Sequence, residues 1–259
     1  MSLQLDVRRK TLLKHMGLTL AFLPTVAPDP ISDTPMATAT PDLHTQLNVA
    51  KNEVKSGWVS DLHIDPGQAN WIQLQKAVST CQACGLCQSR RQTVFGMGAE
   101  PPSPEQPGVD LMIVGEAPGA DEDRLGKPFV GVSGRLMDRM FEAIGMSRER
   151  DLYITNILFW RPPGNRTPTL AEQAMCLAFT RRHIELARPK VLVLAGGVAV
   201  KAVLDTAEGI TRLRGKWTSV RLDDGSEVPA MPTFHPAFLL RTPASKRQSW
   251  SDLLAIDKR

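Results

Sequence analysis

Residues 115–123 read GEAPGADED, a turn built from Gly115, Pro118 and Gly119 with Glu116 inside it and Asp121, Glu122 and Asp123 directly after it. A glycine-rich turn behind an apolar strand usually cradles phosphate, because its backbone N–H groups converge on the anion. This one lacks both the Gly-x-Gly-x-x-Gly spacing of a dinucleotide site and the Gly-Lys-Ser/Thr of a P-loop, and its carboxylates repel phosphate. A cradle of backbone amides there suits a dispersed or transient negative charge better than a phosphate. A second glycine-rich turn, PFVG at 128–131, begins nine residues later and contributes Phe129.

Two further polar residues close apolar runs. Asn156 follows LYIT and offers a donor and an acceptor on one amide, and His235 stands in FHP. Singly, each has a bland reading: a tight turn for GEAPG, a core ring for Phe129, a turn residue for Asn156, a loop for His235. A third glycine-bearing strand end, AGG at 195–197, leaves a nucleotide-binding α/β protein open as an alternative.

The cysteines form a separate constellation. Cys81, Cys84 and Cys87 crowd into CQACGLC, and Cys176 stands alone. Three thiols within seven residues suit metal or cluster ligation better than a secreted disulfide framework.

The elements that position these residues follow from hydrophobic patterning. LMIVG at 111–115, LYITNIL at 152–158, KVLVLAGG at 190–197 and VPAMPTFHP at 228–236 read as apolar strands. Between them lie helical stretches. SGRLMDRMFEAIGM at 133–146 puts Leu136, Met140 and Ile144 on one stripe, TLAEQAMCLAFTRRHIELA opens with a Thr169/Glu172 capping box, and VAVKAVL follows the third strand. A further helix leads into the cysteines from residue 68. Strands that are apolar throughout and alternate with helices define an α/β class, a three-layer αβα architecture with a central, mainly parallel four-stranded sheet. Ligands bind such sheets at the carboxyl ends of the strands. GEAPG, Asn156, AGG and HPAFLLR therefore converge on one crevice.

Charge points mildly to a polyanionic partner. The formal net charge is +4; residues 1–80 carry seven basic and seven acidic groups, and the excess lies wholly in residues 81–259. MGLTLAFLPTVA at 16–27 is too short to span a bilayer and is broken by Pro24, so no membrane association is expected. Although Arg8, Arg9, Lys10 and Lys14 precede it, it reads as a short amphipathic helix on a cytoplasmic protein rather than a secretory signal. Residues 24–50 are rich in Pro, Thr and Ala and read as linker. The chain divides into an N-terminal extension and flexible linker, 1–67, and one domain, 68–259.

Taken together, GEAPGADED, GKPFVGVSG, YITNILFWRPPGNRTPT, the CxxC pair, Cys176 and FHPAFLLR resemble the uracil-DNA glycosylase superfamily. Within it they resemble family 4, the bacterial and archaeal class that usually carries an iron–sulfur cluster. The likeness runs collinearly over roughly residues 75–256. It implies a DNA partner that contains uracil, extrusion of the base from the stack, and hydrolysis of its N-glycosidic bond in base excision repair. The acids of the turn then serve a cationic sugar and an attacking water, while the departing pyrimidine needs hydrogen-bond donors.

By that resemblance Glu116 and the backbone of Gly115, Ala117, Pro118 and Gly119 line the pocket. Glu116 positions the water, with Asp123 a second candidate. Phe129 stacks on the base, Asn156 reads its edge, and His235 hydrogen-bonds the carbonyl that becomes negative. Leu239, Leu240 and Arg241 wedge into the gap left by the base, and Arg161 and Arg166 of the rigid, extended RPPGNRTPT segment contact phosphates. No lysine in these motifs is placed for a Schiff base, so a monofunctional enzyme is expected; a monomer is expected as well. His183 reads as structural; His15, His44 and His63 lie outside the likeness.

The sequence departs from the family at the cluster. Cys81, Cys84 and Cys176 fall on three of the family's four 4Fe–4S ligand positions, but Trp160 occupies the other, and indole does not ligate iron. Cys87 is the alternative fourth ligand; otherwise the cluster is lost or labile and Trp160 packs in its place. Gly119 stands where a related family has a tyrosine that excludes the thymine methyl, which leaves room for modified pyrimidines. A non-catalytic or broad-specificity DNA-damage binder with the same fold is the remaining alternative.

Overall fold

The computed structural model describes residues 65–99 and 108–259. The expected helix at 16–27, the linker at 24–50 and His15, His44 and His63 lie outside the described residues.

Among the described residues six strands form one sheet: β1 (Met97–Gly98), β2 (Leu111–Gly115), β3 (Leu152–Asn156), β4 (Val191–Ala195), β5 (Thr218–Arg221) and β6 (Glu227–Thr233), in the order β1-β3-β2-β4-β6-β5. The four expected strands are its interior. β3, β2, β4 and β6 are mutually parallel, and β2 and β3 are buried along their whole length. The expectation of four strands was too low by the two edges, which run antiparallel. β1 has only two residues, and β5 shows its side chains to solvent except at Val220, so neither carries an apolar run.

Eight α-helices among the described residues cover the sheet: α1 (Trp71–Thr80), α2 (Ala120–Leu125), α3 (Val132–Glu142), α4 (Leu170–Ala187), α5 (Gly197–Leu204), α6 (Ile210–Leu213), α7 (Pro236–Arg241) and α8 (Lys246–Asp257). Alternate side chains of each strand enter opposite cores. Met112, Val114, Leu192, Leu194 and Ala230 pack with residues of α1, α4 and α5. Leu111, Ile113, Leu152, Ile154, Val193 and Met231 pack with residues of α3 and α8. Two separate apolar clusters on one sheet make the three-layer αβα arrangement.

Local chemistry sets the helix ends. Thr169 Oγ1 accepts the Glu172 N–H at 3.2 Å and Glu172 Oε2 accepts the Thr169 N–H at 2.8 Å, closing the expected capping box of α4. Asn70 and Gln73 do the same for α1. No helix among the described residues is long and apolar enough to cross a membrane.

Candidate active site

The parallel register of β2 and β3 sets Gly115 beside Asn156 at the carboxyl edge of the sheet. Gly115 has no room for a side chain: a Cβ there would collide with Asn156 Oδ1 and with the Phe129 ring. The first glycine of GEAPG thus lets the ring and the amide approach each other. Asn156 is 1% exposed, and its Oδ1 has no hydrogen-bond partner among the described residues. Leaving a buried acceptor unpaired costs about 1–3 kcal/mol, a cost that a ligand donor removes.

His235 completes the group. It caps α7, and its Nδ1 accepts the Ala237 N–H at 3.1 Å, so Nδ1 carries the lone pair and the neutral ring holds its proton on Nε2. Burial, reinforced by the positive charge of Arg241, pushes its pKa down to about 4. The imidazole lies 5.4 Å from the Phe129 ring, centroid to centroid, at 31°. Gly196, at φ 99°, packs behind it; a Cβ at this position would stand 3.0 Å from His235 Cβ. The AGG turn is therefore glycine-rich to seat His235, and it does not line the cavity described next.

Phe129, Asn156 and His235 share a cavity of about 450 Å³ with Glu116, Ala117, Pro118 and Gly119. The acids that follow the turn divide by role. Glu122 ties the two glycine-rich turns together: Oε1 accepts the Val130 and Gly131 N–H groups, both at 2.9 Å, and Oε2 accepts the Gly119 N–H at 3.1 Å. Asp123 is 3% exposed and turned away, with Oδ1 accepting the Arg91 N–H at 2.9 Å. It does not line the cavity, so its placement corrects its candidacy as a catalytic acid. Glu116 does line it. Burial raises the Glu116 carboxyl above its usual range, partly offset by Arg241.

At the rim stand Arg166 and Arg241, with Ser133, Thr167 and Phe238. Arg166 is held bidentately by Glu172 at 2.8 and 2.7 Å, and that bond holds the Glu172 carboxyl down at about 2. Arg161 lies outside the cavity lining and donates to Asn165 Oδ1 at 2.7 Å. RPPGNRTPT is not the extended path expected: it doubles back in a 3₁₀ turn at Pro163–Asn165, with Gly164 and Asn165 both left-handed. Leu239 is also corrected. It is fully buried in the core, whereas Leu240 is 38% exposed and free to meet a ligand. Sequence reasoning gave no role to Ser133, Thr167 and Phe238, although each lies inside a quoted motif, one to four residues from a candidate residue.

The residues at the cluster position do not fit a four-cysteine iron–sulfur group. Trp160 is 1% exposed and packs in the same core as Cys81 and Cys176, its ring under the Arg90 guanidinium at 4.9 Å. Burial raises the thiols of Cys81, Cys84 and Cys176. Among the described residues no three His, Cys, Asp or Glu side chains, Cys87 included, are gathered to hold a metal ion.

Comparison with known proteins agrees with the geometry. The family model for the uracil DNA glycosylase superfamily matches residues 102–254. The chain is 35% identical over 185 residues to a type-4 uracil-DNA glycosylase of Pyrobaculum aerophilum, covering 70% of this chain and 90% of that one. It is 36% identical to one from Archaeoglobus fulgidus, covering 70% and 88%, and 38% identical to one from Thermotoga maritima, covering 65% and 82%. A family model that spans more than half of the sequence and relatives covered over most of their length lead to one conclusion: the chain belongs to the uracil-DNA glycosylase superfamily.

Proposed function

We propose that the protein is a monofunctional uracil-DNA glycosylase, which takes an extruded uracil into the cavity and hydrolyses the bond between N1 and C1′ of deoxyribose. The observation that carries this reading is the unpaired Oδ1 of buried Asn156, in the same cavity as a neutral His235 and the Phe129 ring. A uracil imide offers the missing donor at N3–H, and its O4 takes the amide N–H of the same side chain. Phe129 stacks on the ring. As the C1′–N1 bond breaks, the electron pair leaves with the base, and His235 Nε2–H donates to O2, where that charge collects. The Glu116 carboxylate orients a water toward C1′ and accepts its proton as the C–O bond forms. Leu240 and Arg241 enter the gap in the stack, and Arg166 meets the backbone.

The active unit on this reading is residues 68–259, acting as a monomer in the cytoplasm without a cluster, since Trp160 packs where the family's third cysteine would stand. The test is incubation with a single-uracil oligonucleotide followed by alkali. Strand breakage at the uracil is expected; an intact strand, with affinity for free nucleotides instead, would support the nucleotide-binding alternative.

A further inference from the structure

Phe129 holds its ring in the cavity from a backbone that bulky residues avoid, with φ at 52°. Something must hold it there, and the turn is gripped from two sides. Glu122 accepts the N–H groups of Val130 and Gly131. Opposite, Arg148 donates from Nη1 to the Pro128 carbonyl at 2.8 Å and from Nη2 to the Phe129 carbonyl at 2.7 Å. Four successive residues of PFVG thus have a backbone group bonded by a charged side chain, the acid taking the donors and the base taking the acceptors.

Arg148 is built for this. It comes from the loop between α3 and β3, its side chain is 9% exposed, and its guanidinium is fixed by Asp138 of α3 at 3.1 and 2.8 Å. Gly134 leaves the space, since a Cβ there would run into the Phe129 carbonyl. The sequence gives no hint of the contact, as Arg148 lies 19 residues from Phe129 and outside every motif.

We propose that Arg148 is a positioning residue for base recognition: by bonding the carbonyls of Pro128 and Phe129 it locks the left-handed turn and keeps the Phe129 ring opposite His235, ready to stack. The role of that ring rests on the glycosylase reading; the clamp itself does not. A lysine cannot replace the arginine, because a point charge lacks the planar fork that reaches two carbonyls and a carboxylate together.

The experiment compares the parent protein with Arg148→Lys, Asp138→Asn, Phe129→Ala and the Arg148→Lys/Phe129→Ala double variant. Nuclear Overhauser contact between the Phe129 and His235 rings reads the clamp, and inhibition by free uracil reads its use. The contact should be present in the parent and lost in Arg148→Lys, with uracil inhibition weakened about tenfold, as stacking on one aromatic face is lost. In the double variant Arg148→Lys should add nothing to Phe129→Ala, whereas general damage to the fold would add its own loss. An undiminished ring contact in Arg148→Lys, or a fully additive double variant, overturns the proposal. If Arg148→Lys does not fold, Asp138→Asn decides by the same two readings, with a partial loss of both expected and an unchanged contact overturning. A parent that releases no uracil refutes the glycosylase reading, and the ring contact then still judges the clamp alone.

Discussion

The imidazole Nδ1 of His235 accepts the backbone N–H of Ala237 at 3.1 Å, and that bond decides which nitrogen faces the ligand. A backbone donor cannot share Nδ1 with a proton, so the ring stays neutral and presents Nε2–H. Burial pushes its pKa down to about 4, from an ordinary value near 6.5. Above that range the donor is in its working form.

The pH profile follows with a definite sign. Single-turnover uracil release should show no step near pH 6.5, because His235 is already neutral there. It should fall on acidification as Glu116, whose carboxyl is raised by burial, takes up a proton. Rates measured for the parent and for Glu116→Gln should place that fall in the parent alone; a step near 6.5 in both proteins would contradict the assignment.

Gly196→Ala should disturb His235 without touching the ligand. The substitution combines a left-handed backbone with a 3.0 Å approach to His235 Cβ, so a stability loss of about 1–3 kcal/mol is expected. Denaturant unfolding measures that loss, and release of uracil should slow more than its binding weakens. Equal binding and rate to the parent would show that the AGG turn does not seat the histidine.

Base selectivity should be set by what is missing at residue 119. A side chain there would strike Glu122, whose Oε2 takes the Gly119 N–H, so the position stays open. On the glycosylase reading, 5-hydroxymethyluracil should be released at a rate within about tenfold of uracil, since one small added group that meets open space is weakly rejected. Strict preference for uracil over 5-hydroxymethyluracil would count against it.

Trp160 should behave as core. Trp160→Ala should cost about 3–5 kcal/mol in denaturant unfolding, the usual loss for a buried tryptophan. Protein purified without oxygen should carry well under one iron per chain. Four irons per chain would show that Cys87 or another group completes a cluster.

The interior of the fold was legible because its signals are local. β2 and β3 are apolar at every position, and Thr169 and Glu172 announce the start of α4 three residues apart. Edge strands carry no such run, so β1 and β5 were invisible. Within the site, the positions set by strand ends were legible: Gly115, Asn156 and His235 lie where parallel topology puts them. Roles that depend on direction were not. Glu116, Glu122 and Asp123 stand in one short acidic stretch, yet Glu116 lines the cavity without such bonds, Glu122 lines it while holding the backbone of two turns, and Asp123 turns to the Arg91 backbone. Leu239 and Leu240 are neighbours in sequence, yet the turn of α7 between them leaves one in the core and the other exposed. Composition cannot tell such neighbours apart; only packing does.

Single-turnover release of uracil by the parent, Asn156→Ala and His235→Ala tests the central claim most directly. The parent should liberate free uracil, and each variant should be slower by about 10²–10³-fold, the loss expected when one donor to a developing anion is removed. No release by the parent, or undiminished release by both variants, would contradict the account.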